Sequence, residues 1–229
     1  YQKFGWEAVG LFESQEEIDR SPIQFSEGNH SRLRPGDIKY RDLNGDGVID
    51  DYDKMPIGFC DIPEITYGFG GAIEWKGFDV SIFFQGTARV SLFEEGSTIV
   101  PFSSGYKNND GFLRGVMENR WTVDNPDPNA RYPRTIRPSD ALDNNNTKKS
   151  SFWVRNAAFL RLKNAEIGYT FPKRWMEKMA IQNLRLYVSG VNLLTWAPDV
   201  HLFDPDLGSG DGRKYPPTRV FNVGLNINF

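Results

Sequence analysis

The chain has 229 residues, a net charge of −3, 25% charged and 14% aromatic residues, 22 glycines and 14 prolines. No basic excess is present to hold a nucleic-acid backbone. No apolar run reaches the roughly 18 residues that a membrane-crossing helix requires, whereas barrel strands, which alternate and average out as polar, remain possible.

Many aromatics with many turn formers point to an all-β chain. Cys60 is the one cysteine, so neither a disulfide framework nor a thiolate metal cluster can be built within the chain. His30 and His201 stand far apart in polar, Gly/Pro-rich surroundings and read as loop residues. The sequence starts at Tyr1 without Met or signal peptide, which reads as processing or as a fragment.

Residues 1–64 read as an extracellular loop region. Within it, Gly36 to Tyr40 reads as a short strand. Asp42-Leu-Asn-Gly-Asp-Gly-Val-Ile-Asp-Asp-Tyr-Asp53 then matches an EF-hand-type calcium loop. Oxygen side chains stand at the first, third, fifth, ninth and twelfth places: Asp42, Asn44, Asp46, Asp50 and Asp53. Val48 would add its carbonyl, Gly47 stands where the loop must turn, and Ile49 is the apolar anchor. Asp rather than Glu at the last place shortens the arm for bidentate ligation and predicts weaker binding. Met55-Pro56-Ile57-Gly58 stops any helix, so the expectation is a structural calcium clip on an outer loop rather than a switch.

Residues 65–229 read as antiparallel strands with long outer loops, 88–155 and 196–217. The first strand is Ile65 to Trp75, with Ile65, Tyr67, Phe69, Ile73 and Trp75 on one face. The second is Phe78 to Gly86, with Phe78, Val80, Ile82 and Phe84 on the matching face. Lys76-Gly77 between them fits a tight hairpin turn. The third runs from about Ala158 to Phe171, and its apolar parity shifts, which predicts a bulge near Lys163-Asn164. Pro172 to Gln182, containing Lys-Arg-Trp-Met-Glu-Lys-Met, is expected to form one or two helical turns. The fourth strand spans Asn183 to about Leu194. The fifth spans Arg219 to Phe229, where Phe221, Val223, Leu225, Ile227 and Phe229 oppose Asn222, Gly224, Asn226 and Asn228.

Long connections are uncommon in a soluble domain but expected outside an outer-membrane barrel, where periplasmic turns are short. If Phe229 ends in the periplasm, every long connection falls outside. A soluble β-sandwich shows the same alternation. The barrel is favoured by polar faces rich in Asn, Gly, Ser and Gln, and by apolar faces ending in Trp75, Phe78, Tyr169, Phe171 and Phe229 on the short-turn side. About five strands cannot close a wide barrel, so the remainder is expected upstream.

Glu16-Glu17, Glu94-Glu95 and Asp204/Asp206 are candidate carboxylate pairs, and nothing in the pattern places them in one cleft. They read as loop charges, and no catalytic residue is expected. Gly208-Ser-Gly-Asp-Gly212 lacks the strand-to-helix context of a phosphate cradle. Trp121, Tyr132, Trp153 and Trp196 lie in or beside the outer loops, where they pack the loops together or stack on a sugar or peptide.

With these motifs placed, the chain resembles the C-terminal part of the SusC/RagA family of TonB-dependent outer-membrane transporters. The resemblance is carried by Pro35-Gly-Asp-Ile-Lys-Tyr-Arg-Asp-Leu-Asn-Gly-Asp-Gly-Val-Ile-Asp50 with Ile57-Gly58. Thr66-Tyr-Gly-Phe-Gly70 and Lys76-Gly-Phe-Asp-Val-Ser-Ile-Phe-Phe-Gln-Gly86 continue it. So do Asn119-Arg-Trp-Thr122, Phe159-Leu-Arg-Leu-Lys-Asn164 with Gly168-Tyr169, Leu186-Tyr-Val-Ser-Gly-Val-Asn-Leu-Leu194, and the terminal Phe229. It implies a wide barrel in the cell outer membrane, completed by an N-terminal plug and further strands and contacting outer-membrane lipid. It also implies energising by TonB through the N-terminal part, a SusD-like lipoprotein lid, and glycans or peptides as cargo. Phe229 is implied as a signal for the barrel-assembly machinery. The alternative is a soluble secreted β-module that binds calcium and glycan.

Overall fold

A computed structural model describes residues 2–96, 98–100, 113–136, 144–176 and 181–229. Lys76 and Gly77 both take positive φ, 49° and 90°, which a two-residue type I′ turn demands. The turn joins β1 (Ile65–Trp75) to β2 (Phe78–Ala88), paired from Trp75↔Phe78 to Ile65↔Ala88. β3 (Phe159–Thr170), β4 (Asn183–Trp196) and β5 (Val220–Asn228) follow. The five form one sheet in the order β5-β4-β3-β2-β1, every neighbour antiparallel. The strands predicted from period-two alternation are all present, within a residue or two at their ends.

The parity shift in β3 is a bulge. Its register breaks between Leu162 and Asn164 against both β2 and β4. β4 answers with Asn192 and Leu193 between the partners Val191 and Leu194, and Asn192 adopts φ 55°. An extra residue on each strand keeps the apolar set on one face through the irregularity. That face is open: Ile73 is 69% and Val223 75% exposed, alongside Phe69, Trp75, Phe78, Ile167 and Leu225. Its hairpin end carries aromatic contacts, Phe78 to Tyr169 at 4.6 Å and Tyr169 to Phe171 at 5.0 Å between ring centres. The helical turn after β3 is Lys173–Met176, and the rest of the predicted helical run, residues 177–179, lies outside the described residues. No described helix is long and apolar enough to cross a membrane.

The chain divides into two compact units. One comprises residues 1–62, 91–156 and 207–213, and the other is the sheet unit, 63–90, 157–206 and 214–229. The described parts of segments 1–64 and 88–155, expected from sequence to be outer loop regions, fall in the same unit. Within the first unit Lys3–Trp6 pairs with Lys54–Ile57, Ala8–Leu11 with Ile38–Tyr40, and Ser91–Phe93 with Val154–Asn156. Ile23–Gln24 runs parallel to Val48–Ile49. The short helix Gln15–Arg20 starts at Ser14, whose side chain accepts from the Glu17 N–H, and buries Ile18 with Phe12 and Leu33. Leu92, Ile99, Val116, Trp121 and Trp153 are also buried. Burying that much apolar surface is the reason these segments condense into a core instead of trailing as independent loops. Residues 97, 101–112 and 137–143 of the predicted loop 88–155 lie outside the described residues.

Candidate functional site

The predicted calcium loop is a chain of side-chain turns. Asp42 accepts from the N–H groups of Gly45 (2.6 Å) and Gly47 (2.8 Å). Asn44 Oδ1 accepts from Asp46 N, and Asp46 Oδ1 from Val48 N, each at 2.9 Å. Gly45 and Gly47 take φ 77° and 85°, conformations natural to glycine. Asp50 caps a 3₁₀ turn by accepting from Tyr52 N at 2.8 Å. Asp53 is the twelfth-place ligand the sequence predicts. It is fully buried, its Oδ1 accepts from Leu43 N at 2.8 Å, and its Oδ2 accepts from Asp50 N at 2.8 Å. It thus fastens both ends of the loop. The oxygen donors suit a hard cation, but among the described residues no three His, Cys, Asp or Glu groups are gathered closely enough to hold a metal.

A second polar centre, beside the same segment in the chain, went unrecognised in the sequence. Asp37 is fully buried and accepts from Arg34 N at 2.9 Å and Asn146 Nδ2 at 2.8 Å. Arg134 meets it with two nitrogens, Nη2 at 2.8 Å and Nε at 2.7 Å. Burial pushes the Asp37 carboxyl above its ordinary range, against the pull of Arg134. Asn146 Oδ1 accepts from Ile38 N (2.9 Å), and Asn145 Nδ2 donates to Ile38 O (2.8 Å). Asn29 Nδ2 donates to Asn145 Oδ1 at 2.7 Å. Buried amides thus splice residues 24–40 to Arg134 and residues 144–146. The only signal in the sequence was the run Asn144-Asn145-Asn146, and nothing there distinguishes a buried amide from a loop.

Two of the three candidate carboxylate pairs separate. Glu17 pairs with Lys39, while Glu16 lies in the first turn of its helix. Glu94 is buried, and Glu95 beside it is exposed. Arg155 Nε lies 2.8 Å and Arg131 Nη2 3.7 Å from Glu94, which also accepts from the Tyr132 hydroxyl at 3.3 Å. Burial raises the Glu94 carboxyl despite these cations. Asp204 and Asp206 both grip one guanidinium, that of the buried Arg161, at 2.6 and 2.9 Å. Burial raises the Asp206 carboxyl against the pull of Arg161. Gly208, Gly210 and Gly212 all take positive φ, as a winding loop requires. Trp121, Tyr132 and Trp153 are buried, whereas Trp196 is half exposed on the apolar end of β4. His30 ends the short helix Glu27–His30 rather than lying in a loop.

The polar face of the sheet carries two charged groups. Toward the hairpin end, Arg185 bridges Asp79 and Glu166 across β2, β3 and β4. At the opposite end, Arg161, which faces Thr195 in register, opens onto a cavity of about 390 Å³.

No family model matches the chain. TonB-dependent receptor P26 of Formosa agariphila is 30% identical over 239 residues, spanning 98% of this chain and 22% of the relative. TonB-dependent receptor SusC of Bacteroides thetaiotaomicron is 26% identical over 205 residues, spanning 86% of the chain and 18% of the relative. Among solved structures, the RagAB peptide transporter matches with a TM-score of 0.66 at 19% identity, over 100% of this chain and 23% of that one. The RagAB peptide importer in its open-open state matches with 0.63 at 20% identity, over 100% and 22%. The structural matches show a common fold. The chain spans about a fifth of the length of the curated relatives it matches.

Proposed function

We propose that this chain, a relative of the SusC-type TonB-dependent receptors, is a wall segment of an outer-membrane nutrient importer. The supporting observation is the exposed apolar face of the five-stranded sheet, bounded at its hairpin end by Trp75, Phe78 and Tyr169 and backed by a polar face. Lipid satisfies such a face, and water fills the space behind the other. In hydrocarbon every backbone group must be paired, so β1 and β5 find their outer partners in strands of the complete barrel.

In this reading TonB, acting through an N-terminal plug, supplies energy, and a SusD-like lipoprotein closes the outer mouth over glycan or peptide oligomers. The role is transport rather than catalysis. The calcium loop is proposed as an outer clip held by Asp42, Asn44, Asp46, the Val48 carbonyl, Asp50 and Asp53. Support comes from the hard oxygen donors and the left-handed glycines between them.

The test is made on the full-length protein. It should fractionate with the outer membrane, show heat-modifiable gel mobility, and import cargo only in cells with functional TonB. Recovery as a soluble, detergent-independent protein would refute the membrane reading and favour a secreted calcium- and glycan-binding module.

A further inference from the structure

We infer that residues 197–206, the first part of the connection after β4, form a strap folded back over the polar face of the sheet, and that the Arg161 clasp holding it there limits the size of cargo that passes. The size limit rests on the reading of that face as the wall of a solvent-filled passage. The clasp stands on geometry alone.

A polar connection normally runs out into water. This one has apolar and ionic reasons to return. Val200 is 5% exposed, and Pro205 is buried. Asp204 and Asp206 bring their carboxylates to Nη2 and Nη1 of Arg161, at 2.6 and 2.9 Å. A guanidinium presents its donors as a planar fork, and each carboxylate here takes a different prong. Asp204 Oδ1 also accepts from Asp206 N at 3.0 Å, at the 3₁₀ turn Pro205–Leu207. The turn thus sets the two carboxylates side by side before the arginine.

Arg161 belongs to the polar face, where it pairs in register with Gln85 of β2 and Thr195 of β4. Its guanidinium lies 5.0 Å from the ring centre of Phe159, the preceding residue of the same parity. Only 2% of its side chain is exposed. Asp79, Glu166 and Arg185, on the same face toward the hairpin, keep 25%, 33% and 21%. The strap therefore covers the end of the face away from the hairpin and leaves the other end open. Asn192 Nδ2 donates to Thr218 O at 3.0 Å and fastens the returning end of the same connection to the β4 bulge. Strap and wall do not collapse onto each other. The cavity of about 390 Å³ lies between them, with Asn192 and Thr195 on the wall side and Val200 and Phe203 on the strap side.

Two carboxylates share one arginine, so its removal releases both and leaves them to repel each other. Loss of one partner from a fully buried pair would raise the population of the open strap by about a hundredfold or more. Asp206 keeps 43% of its side chain exposed, and Lys163 still attracts it, so the expected rise is about tenfold.

Chymotrypsin acting on the full-length protein in detergent reads the strap, because cleavage after Leu202 or Phe203 follows the open population. Arg161→Gln should be cut there about tenfold faster than wild type, at unchanged heat-modifiable mobility. Arg161→Lys, which keeps the charge and loses the fork, should fall between the two. Asp204→Asn combined with Asp206→Asn leaves β3 untouched, and it should match Arg161→Gln even if that variant fails to assemble. Cells carrying each protein are then offered oligopeptides and neutral oligosaccharides of graded length. The released variants should take up longer oligomers than wild type does. Wild-type cleavage rates in folded variants would overturn the clasp. Faster cleavage with an unchanged length limit would overturn the role in size selection. Absence of TonB-dependent uptake of either series by wild type would overturn the importer reading and the size limit with it, whereas the cleavage result would still decide the clasp.

Discussion

Replacing Asp37 by alanine should open the amide-spliced part of the first unit. The carboxylate is fully buried, and Arg134 is nearly so, with 17% of its side chain exposed. Removing one partner of such a pair leaves a poorly solvated charge, at a cost of about 3–5 kcal/mol. Asn146 Nδ2 and the Arg34 N–H also lose an acceptor. Partial rehydration of Arg134 offsets some of this, so about 4 kcal/mol is the working figure, roughly a thousandfold in a local opening equilibrium. Hydrogen–deuterium exchange on the full-length protein reads it directly. Ile38 N donates to Asn146 Oδ1, and its amide should lose most of its protection. Asp37→Asn, which keeps one acceptor, should lose less. Asp37→Ala combined with Arg134→Ala should lose less than the sum of the two singles, because no orphaned cation remains. Ile38 protection within about twofold of wild type in Asp37→Ala would refute the assignment of this network as the splice.

Calcium titrated into the full-length protein should give binding heat that Asp42→Ala plus Asp46→Ala abolishes, and a wild type without heat would rule out the clip. Asp37 and Glu94 have folded pKa values raised by burial, so the folded state holds their protons more tightly than the unfolded chain. Thermal stability should therefore fall as pH rises from the ordinary carboxylate value to the raised ones and level off above them, by about 1.4 kcal/mol per unit of displacement. Glu94→Gln should retain only the Asp37 share of that slope. Gly77→Val forces a branched side chain into φ 90° at the hairpin and should cost about 1–3 kcal/mol, seen as less heat-modifiable, folded protein in the outer membrane.

The sheet was readable in the sequence because its signals are local. Alternation repeats every second residue, the Lys76-Gly77 turn is two residues long, and even the bulge at Lys163 shows as a slip in apolar parity. The first unit was not readable, because its stabilising interactions join residues far apart in the chain. Asp37 meets Arg134, and Asn29 meets Asn145, while no periodicity marks either end. Arg161 stands in sequence between Leu160 and Leu162, and only the fold brings Asp204 and Asp206 to it.

The order of segments in the two units constrains how the molecule is made. The chain leaves the first unit at residue 62, builds β1 and β2, returns at 91, leaves again at 156 for β3 and β4, and comes back for 207–213 before β5. Asp37 must therefore wait for Arg134 and the Asn144 to Asn146 run, which emerge only after the first hairpin is complete. Until then Asn29 lacks its partner Asn145, and the Ile38 N–H lacks Asn146. Maturation is consequently gated by the arrival of the later segments. A chain stalled between residues 90 and 134 would hold both strands of the first hairpin while its other unit still lacks these partners, the kind of intermediate that is prone to aggregate.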